Sequence, residues 1–399
     1  MFFTQSFSWY NTWVVYFSGF CNFFGPELSQ SLHNDLQLPD RAIALVAAKA
    51  IDTLRQIQLL LDPPVLILAD HFLGYVTTKC LVAAVECGVP DALKNGPMTL
   101  DGLAKATNTK PDRLSQILGI LESRGIFARE SDDDVYSHSP ASSLIQSDHW
   151  TQWHNWIRLY GNQFYDIARG IPESLKANTT RCAAQVSFDT NENMFAYFNQ
   201  RGGGASAQLP GILEDYPWDD FSHGHVINIG GGGGAFLVGL MRKFPTLTGG
   251  IFELPHVIDH VRPKFYGENG EFADVKDRIG NDDLIGGDFF QSVPASALYT
   301  MKWCLHDWQD DKAMMILDVI QRNIVRTPRC RLVVLESVLD PGHSARLSRY
   351  GDINMMMTAH GHERTLKQWC GLAEKSGWRV KRIRELRRAW VKAIELRPL

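Results

Sequence analysis

A chain of 399 residues is long enough for two domains with separate cores, and 45% hydrophobic with 21% charged residues is the balance of an ordinary globular protein. A net charge of −4 leaves no basic footprint for nucleic acid. The seven cysteines are scattered, with no CxxC pair and no Cys/His cluster, which predicts reduced intracellular thiols, no disulfide framework and no metal site.

Residues 1–40 form an aromatic-rich extension, without a charged side chain before Glu27. The basic start of a signal peptide is missing, and polar residues interrupt every apolar run, so neither secretion nor a membrane span is expected. The extension reads as an extra packing or dimer segment, and the protein as cytoplasmic.

Residues 41–145 carry helical periodicity over Ile43–Leu61, stopped by Asp62-Pro-Pro, and a second apolar helix over about Ala69–Cys87 ending at Gly88. Pro97–Thr109 and Lys110–Gly125 each read as a capped helix, the latter with Pro111 early and Gly125 at its end. Ile126–Arg129, an acidic turn over Glu130–Asp134 and Val135–His138 make a hairpin. Helix, helix and hairpin predict a winged helix. Its exposed charges include Asp112, Glu122 and the run Asp132-Asp-Asp, which would repel phosphates, so the unit is expected to dimerise rather than to bind DNA.

Residues 146–205 read as a helical linker crowded with aromatic rings. Most belong to a core, but facing a cleft some would wall a flat apolar substrate. Trp156, Phe164 and Phe198 are the candidates here, and Gly202–Gly204 is the expected hinge.

Residues 206–399 alternate strand and helix, which predicts an α/β fold with a mostly parallel sheet. At its start Val226, Ile227 and Ile229 form a buried strand, Gly230 to Gly234 a glycine turn, and Ala235 onward a helix. Without Cβ atoms such a turn can approach a ligand closely, and Glu253, at the end of the next strand, is placed to bond a ribose. Asp288, His306 and Glu336 also follow strand ends, the edge at which open α/β sheets bind ligands. His306 is the candidate general base, Glu336 and Glu363 could orient its ring or, from spacing alone, equally be surface ion-pair partners, and Asp307 is expected to cap the helix from Gln309. Trp378–Ile383 and Ala389–Ile394 predict an antiparallel edge hairpin.

Gly231-Gly-Gly, Phe252-Glu-Leu-Pro, Gly287-Asp-Phe-Phe, Lys302-Trp-Cys-Leu-His-Asp-Trp and Gly361-His-Glu-Arg-Thr occur in this order. From about His71 to the C-terminus the chain resembles the plant- and fungal-type S-adenosylmethionine-dependent O-methyltransferases. The resemblance implies a Rossmann-like class I methyltransferase sheet behind a winged-helix dimerisation domain, a homodimer, and S-adenosylmethionine as cofactor. It assigns Gly230, Gly231, Gly232, Gly234, Glu253, Asp288, Phe289 and Lys302 to the cofactor. His306 becomes the base, with Glu336 and Glu363 beside it. His138, Trp303 and Met356 join Trp156, Phe164 and Phe198 around the acceptor, although a wing-end hydrogen bond accounts for His138 equally well. The family carries an acid where this chain has Asn228, which loses a charge near the loop. The implied activity is methylation of a phenolic hydroxyl on an aromatic or polyketide-type secondary metabolite. Alternatives are a fungal relative that keeps the cofactor but catalyses a pericyclic or dehydrating step, an NAD-dependent dehydrogenase, and a non-enzymatic regulator.

Overall fold

A computed structural model describes residues 27–130, 134–191, 205–221 and 223–399. The expected hinge Gly202–Gly204, the ring of Phe198 and residues 131–133 of the acidic turn lie outside them.

Arg41–Leu61 is the first long helix, begun by the Asp40 carboxylate, which accepts from the amides of Ala42 and Ile43. The helix expected over Ala69–Cys87 is instead two, Pro64–Phe72 and Gly74–Glu86, bent by 41°. Their break falls at Leu73, beside a glycine that lowers the cost of leaving the helical path. Among the described residues no single helix is long and apolar enough to cross a membrane, though this bent pair has the length and composition jointly. Its second half buries Val82, Ala84 and Val85 within the protein.

Helices Leu100–Ala106 and Pro111–Ser123 then pack on a small antiparallel sheet of β1 (Met98–Thr99), β2 (Phe127–Glu130) and β3 (Val135–His138), in the order β1-β3-β2. Leu103, Leu114, Leu118, Leu121, Phe127 and Tyr136 form its core. This is the expected winged helix.

The aromatic layer is less regular than its composition suggests. Helix Trp153–Arg158 passes into a π-helical turn over Leu159–Phe164 and then into pieces of three to five residues, the last of them Ala183–Ser187. Close packing accompanies the break. A Cβ on Gly161 would sit 2.2 Å from Val82 Cγ2, and the Gly161 carbonyl accepts from Lys79 Nζ at 2.6 Å. π-turns inside helices tend to mark functional segments.

The large sheet has seven strands in the order β11-β12-β8-β7-β4-β5-β6. β4 (His225–Ile229), β5 (Thr248–Glu253), β6 (Leu284–Gly286), β7 (Leu298–Lys302) and β8 (Arg331–Glu336) run parallel. β11 (Trp378–Arg384) and β12 (Lys392–Pro398) close the edge antiparallel. Both faces are covered, so the strands read as continuous apolar runs, with alternate residues in two cores. Val226, Val333 and Leu335 pack on Phe236, Leu240 and Phe265, whereas Ile227, Ile229 and Val334 pack on Ile316, Ile320 and Trp369.

The second hairpin strand starts later than Ala389. Trp390 donates its amide to Gln208 Oε1 at 2.8 Å, so a side chain captures an amide that the expected ladder would have used, and just ahead of it the Arg387 amide goes to Asp215 Oδ2 at 2.7 Å. Finally, β9 (Val338–Leu339) continues two residues past β8 and pairs in parallel with β10 (Arg364–Thr365). This pairing carries the segment ahead of β10 to the end of β8.

Candidate active site

The glycine turn is packed on one side and open on the other. A Cβ on Gly231 would lie 2.8 Å from Ile251 Cγ2 and 2.9 Å from Asn228 Nδ2, yet one on Gly232 would meet nothing within 4 Å. Gly230, Gly232 and Gly234 have φ of 62°, 52° and 85°, a region that L side chains rarely enter. Gly234 then caps helix Ala235–Lys243 without a side-chain hydrogen bond, leaving its first amides for another acceptor. Asn228 is buried, and its Oδ1 accepts from Thr300 Oγ1 at 3.2 Å; the amide that replaces the family's acid is thus bonded into the sheet.

Glu253 ends β5, and its carbonyl accepts from Gly287 N at 2.8 Å, bringing Asp288 to the same sheet edge. The Asp288 carboxylate accepts from Phe290 N at 2.9 Å and Gln291 Nε2 at 3.1 Å, so it is held by its own turn. Phe289 stands edge-on to Phe290 and Trp308, with centroids at 5.1 and 6.1 Å. Lys302, the last residue of β7, places its amine 4.3 Å over the Trp303 ring; burial, opposed by the charge of Glu336, brings that amine down to about 8. A cradle free of Cβ atoms, carboxylates at two strand ends and a half-buried lysine fit a nucleoside carrying a charged amino-acid tail.

His306 lies in the turn Leu305–Asp307 and is buried. Its Nδ1 is 2.9 Å from Glu363 Oε1 and 3.3 Å from Glu336 Oε2, which assigns the Nδ1 proton to the carboxylates and turns Nε2 toward chemistry. Glu336 is itself fixed, since its Oε1 accepts from the amides of Cys304 and Leu305 at 2.8 and 2.9 Å. Glu363 is fixed through its backbone, whose amide donates to Asp352 Oδ1 at 2.8 Å. Burial alone would lower the basicity of His306, but Glu336, Asp307 and Glu363 outweigh it and push the ring up to about 10. Burial in turn raises Glu363, against the pull of the imidazole. The arrangement we derive is a proton on the ring with the carboxylates as acceptors. Ligand atoms of His306, Glu336 and Glu363 all lie within 4.8 Å of one another, a spacing that a metal ion also accepts. Here two amides already occupy Glu336 Oε1, and Nδ1 sits between oxygens at hydrogen-bond distances.

One reading is corrected. Asp307 does not cap the following helix. Gln309 holds that position for helix Asp310–Asn323, without a side-chain bond, while Asp307 Oδ1 is 3.5 Å from His306 Nε2. Burial, then repulsion from Glu336 and Glu363, pushes Asp307 up to about 7 despite the attraction of His306. His138 has Nδ1 2.9 Å from Ser142 Oγ and Nε2 2.9 Å from Gln146 Nε2, the contacts that the wing-end account expects.

The other residues expected around the acceptor form a connected row. Trp303 meets Trp156 at 6.1 Å between centroids, Trp156 meets Tyr160 at 5.6 Å, and Tyr160 meets Phe164 at 4.6 Å. Phe164 and Met356 then pack on Ile167, Cys182 and Met357. Helix Arg346–Thr358 carries both Met356 and Asp352, so this row of side chains and the His306–Glu363 pair share one support. The sequence reading missed Asp352, for which it held no signal, and Arg364, which stood in a quoted motif beside Glu363.

Fold and site together describe a class I methyltransferase. The chain matches the O-methyltransferase domain over residues 150–379 and the O-methyltransferase dimerisation domain over residues 69–148. The O-methyltransferase aclM of Aspergillus oryzae is 50% identical over 384 residues, spanning 93% of this chain and 89% of that protein. The O-methyltransferase verK of Clonostachys rogersoniana is 46% identical over 392 residues, spanning 94% and 96%. The solved structure of the mitomycin 7-O-methyltransferase MmcR aligns with a TM-score of 0.66 at 26% identity, covering 84% of this chain and 97% of that one. This chain belongs to the O-methyltransferase family, and S-adenosylmethionine is its cofactor.

Proposed function

We propose that the protein methylates a phenolic hydroxyl of an aromatic or polyketide-type secondary metabolite, with His306 as the base. The observation that carries this reading is the buried imidazole held through Nδ1 by two carboxylates. S-adenosylmethionine, when bound, supplies a methyl group already activated by its sulfonium. Gly230 to Gly234, Glu253, Asp288, Phe289 and Lys302 are the residues that would hold it. The protein's own work is then to position the acceptor and manage one proton.

A phenol ionises near pH 10, and His306 is pushed up to about 10, so the proton is shared between phenolic oxygen and Nε2 at little cost. Glu363 and Glu336 offset the charge of the imidazolium so formed. Trp303, Trp156, Phe164 and Met356 exclude water and favour a flat apolar acceptor. Residues 69–148 form the dimerisation domain, and exposed Leu54, Ile57, Leu60, Leu66 and Phe72 on the helices before and at its start favour a homodimer. A cytoplasmic setting suits the free thiols of the described cysteines.

The test is His306→Ala under single-turnover conditions with a phenol that the wild type methylates. Transfer should fall about 10²-fold or more while S-adenosylhomocysteine binds as before. Unchanged transfer would remove His306 from the mechanism.

A further inference from the structure

Arg364 is fully buried, and no step described so far uses it. Its guanidinium reaches back to the segment that carries His306. Nη1 donates to the Leu305 carbonyl at 3.0 Å, Nη2 to the Trp308 carbonyl at 2.7 Å, and Nε to Asp310 Oδ1 at 2.9 Å. The two carbonyls flank the base, one residue before it and two after. Its plane also lies 5.5 Å from the centre of the Trp369 ring, which is itself buried.

The neighbours of Arg364 bond the same segment. The amide of His362 donates to the His306 carbonyl at 2.9 Å, and Glu363 Oε1 meets His306 Nδ1 at 2.9 Å. Gly361 makes room for this, since a Cβ there would fall 2.0 Å from the His306 carbonyl oxygen. Residues 361–364 and 305–310 are thus joined by five hydrogen bonds, three of them from one guanidinium, and His362 Nε2 also lies 3.5 Å from Asp310 Oδ1. A planar fork can hold three acceptors at fixed mutual angles, which an ammonium cannot.

We propose that Arg364 is a positioning residue for catalysis: by gripping the chain on both sides of His306, it sets the distance between the imidazole and the Glu363 carboxylate. The proposal rests on His306 being the base. Groups facing the ring are Glu336 at the end of β8, Asp307 in its own turn and Glu363 ahead of β10, with Asp352 behind Glu363 and Lys302 close enough to Glu336 to feel its charge. None of these is altered by a substitution at 364, and Arg364→Lys keeps the buried charge as well, so a change in the basicity of His306 in that variant reports its geometry.

The experiment compares Arg364→Lys, Arg364→Ala and Asp310→Asn with His306→Ala in the full-length protein, reading kcat, KM and the pH dependence of kcat/KM. Arg364→Lys should keep the cofactor KM within about threefold and lose kcat by about 10- to 100-fold, the scale of an ångström of misplacement. The pH at which kcat/KM levels off should fall by about one unit as Glu363 loosens from the ring. Added methylguanidinium should restore part of the turnover of Arg364→Ala. Asp310→Asn removes the charge of the outer partner, a half-exposed carboxylate that also faces His362 at 3.5 Å, and should show the same shift on a smaller scale. It also serves if the Arg364 variants do not fold. A loss of kcat with an unmoved pH profile and no rescue would make Arg364 a structural residue only and overturn the proposal, as would wild-type behaviour of Arg364→Lys. Wild-type turnover in His306→Ala would instead reject the base assignment.

Discussion

Replacing Glu363 by glutamine removes one negative charge while leaving an oxygen to face His306 Nδ1. In the native site that contact is a charge-assisted bond of 2.9 Å between buried groups. Hydrogen bonds to charged groups contribute about 1.5–3 kcal/mol and neutral ones about 0.5–1.5, so the substitution withdraws about 1–2 kcal/mol from the imidazolium. The same amount is lost from a transition state in which Nε2 receives the phenolic proton, a fall in kcat of about 5- to 30-fold. It also lowers the basicity of His306 by about one unit. The sign follows from the ring being the group that must lose its proton before it can serve as base. Native kcat/KM should climb with pH toward the alkaline range, because the ring is pushed up to about 10, and Glu363→Gln should level off at lower pH. Single-turnover transfer of a labelled methyl group at several pH values measures both effects, with S-adenosylhomocysteine affinity as the control for folding. A variant matching the wild type within twofold in rate, with the same pH profile, would refute the coupling of Glu363 to the base.

Gly361→Ala should be more damaging than its size suggests. The new methyl would stand 2.0 Å from the His306 carbonyl oxygen and 2.8 Å from backbone atoms of Asp307, and overpacking of this kind costs about 1–3 kcal/mol. A lower melting temperature together with lost turnover is expected, and native values of both would show that the two segments are not in contact. Gly231→Ala would crowd Ile251 and Asn228 and should weaken S-adenosylhomocysteine binding by at least tenfold in calorimetry; undiminished affinity would place the cofactor elsewhere.

The succession of strands and helices was legible because the strands are short apolar runs bounded by glycine, proline or acidic residues, and because β4, the glycine turn and Glu253 follow one another closely. The capped helices of the winged unit were legible for a similar reason: Thr99 and Pro111 are local signals. What the sequence misjudged depends on distant partners. Asp307 looks like a cap from its place before Gln309, and only burial beside Glu336 and Glu363 changes its role. The late start of β12 goes with Gln208, which captures the Trp390 amide from 182 residues away in sequence. The break at Gly161 arises from packing against Val82, and no local pattern announces it. Glu336 and Glu363 are joined by the two-residue pairing of β9 and β10, too short to leave a periodic trace; their assignment to one site came from the family resemblance.

The central claim is methyl transfer to an oxygen acceptor, and cofactor carrying a trideuterated methyl group tests it most directly. Purified protein would be incubated with this cofactor and a panel of aromatic and polyketide phenols, and the products weighed by mass spectrometry. The account predicts a product heavier by one labelled methyl on oxygen, formed by the wild type and not by His306→Ala. A protein-dependent product that is isomeric with its precursor and carries no label would contradict it.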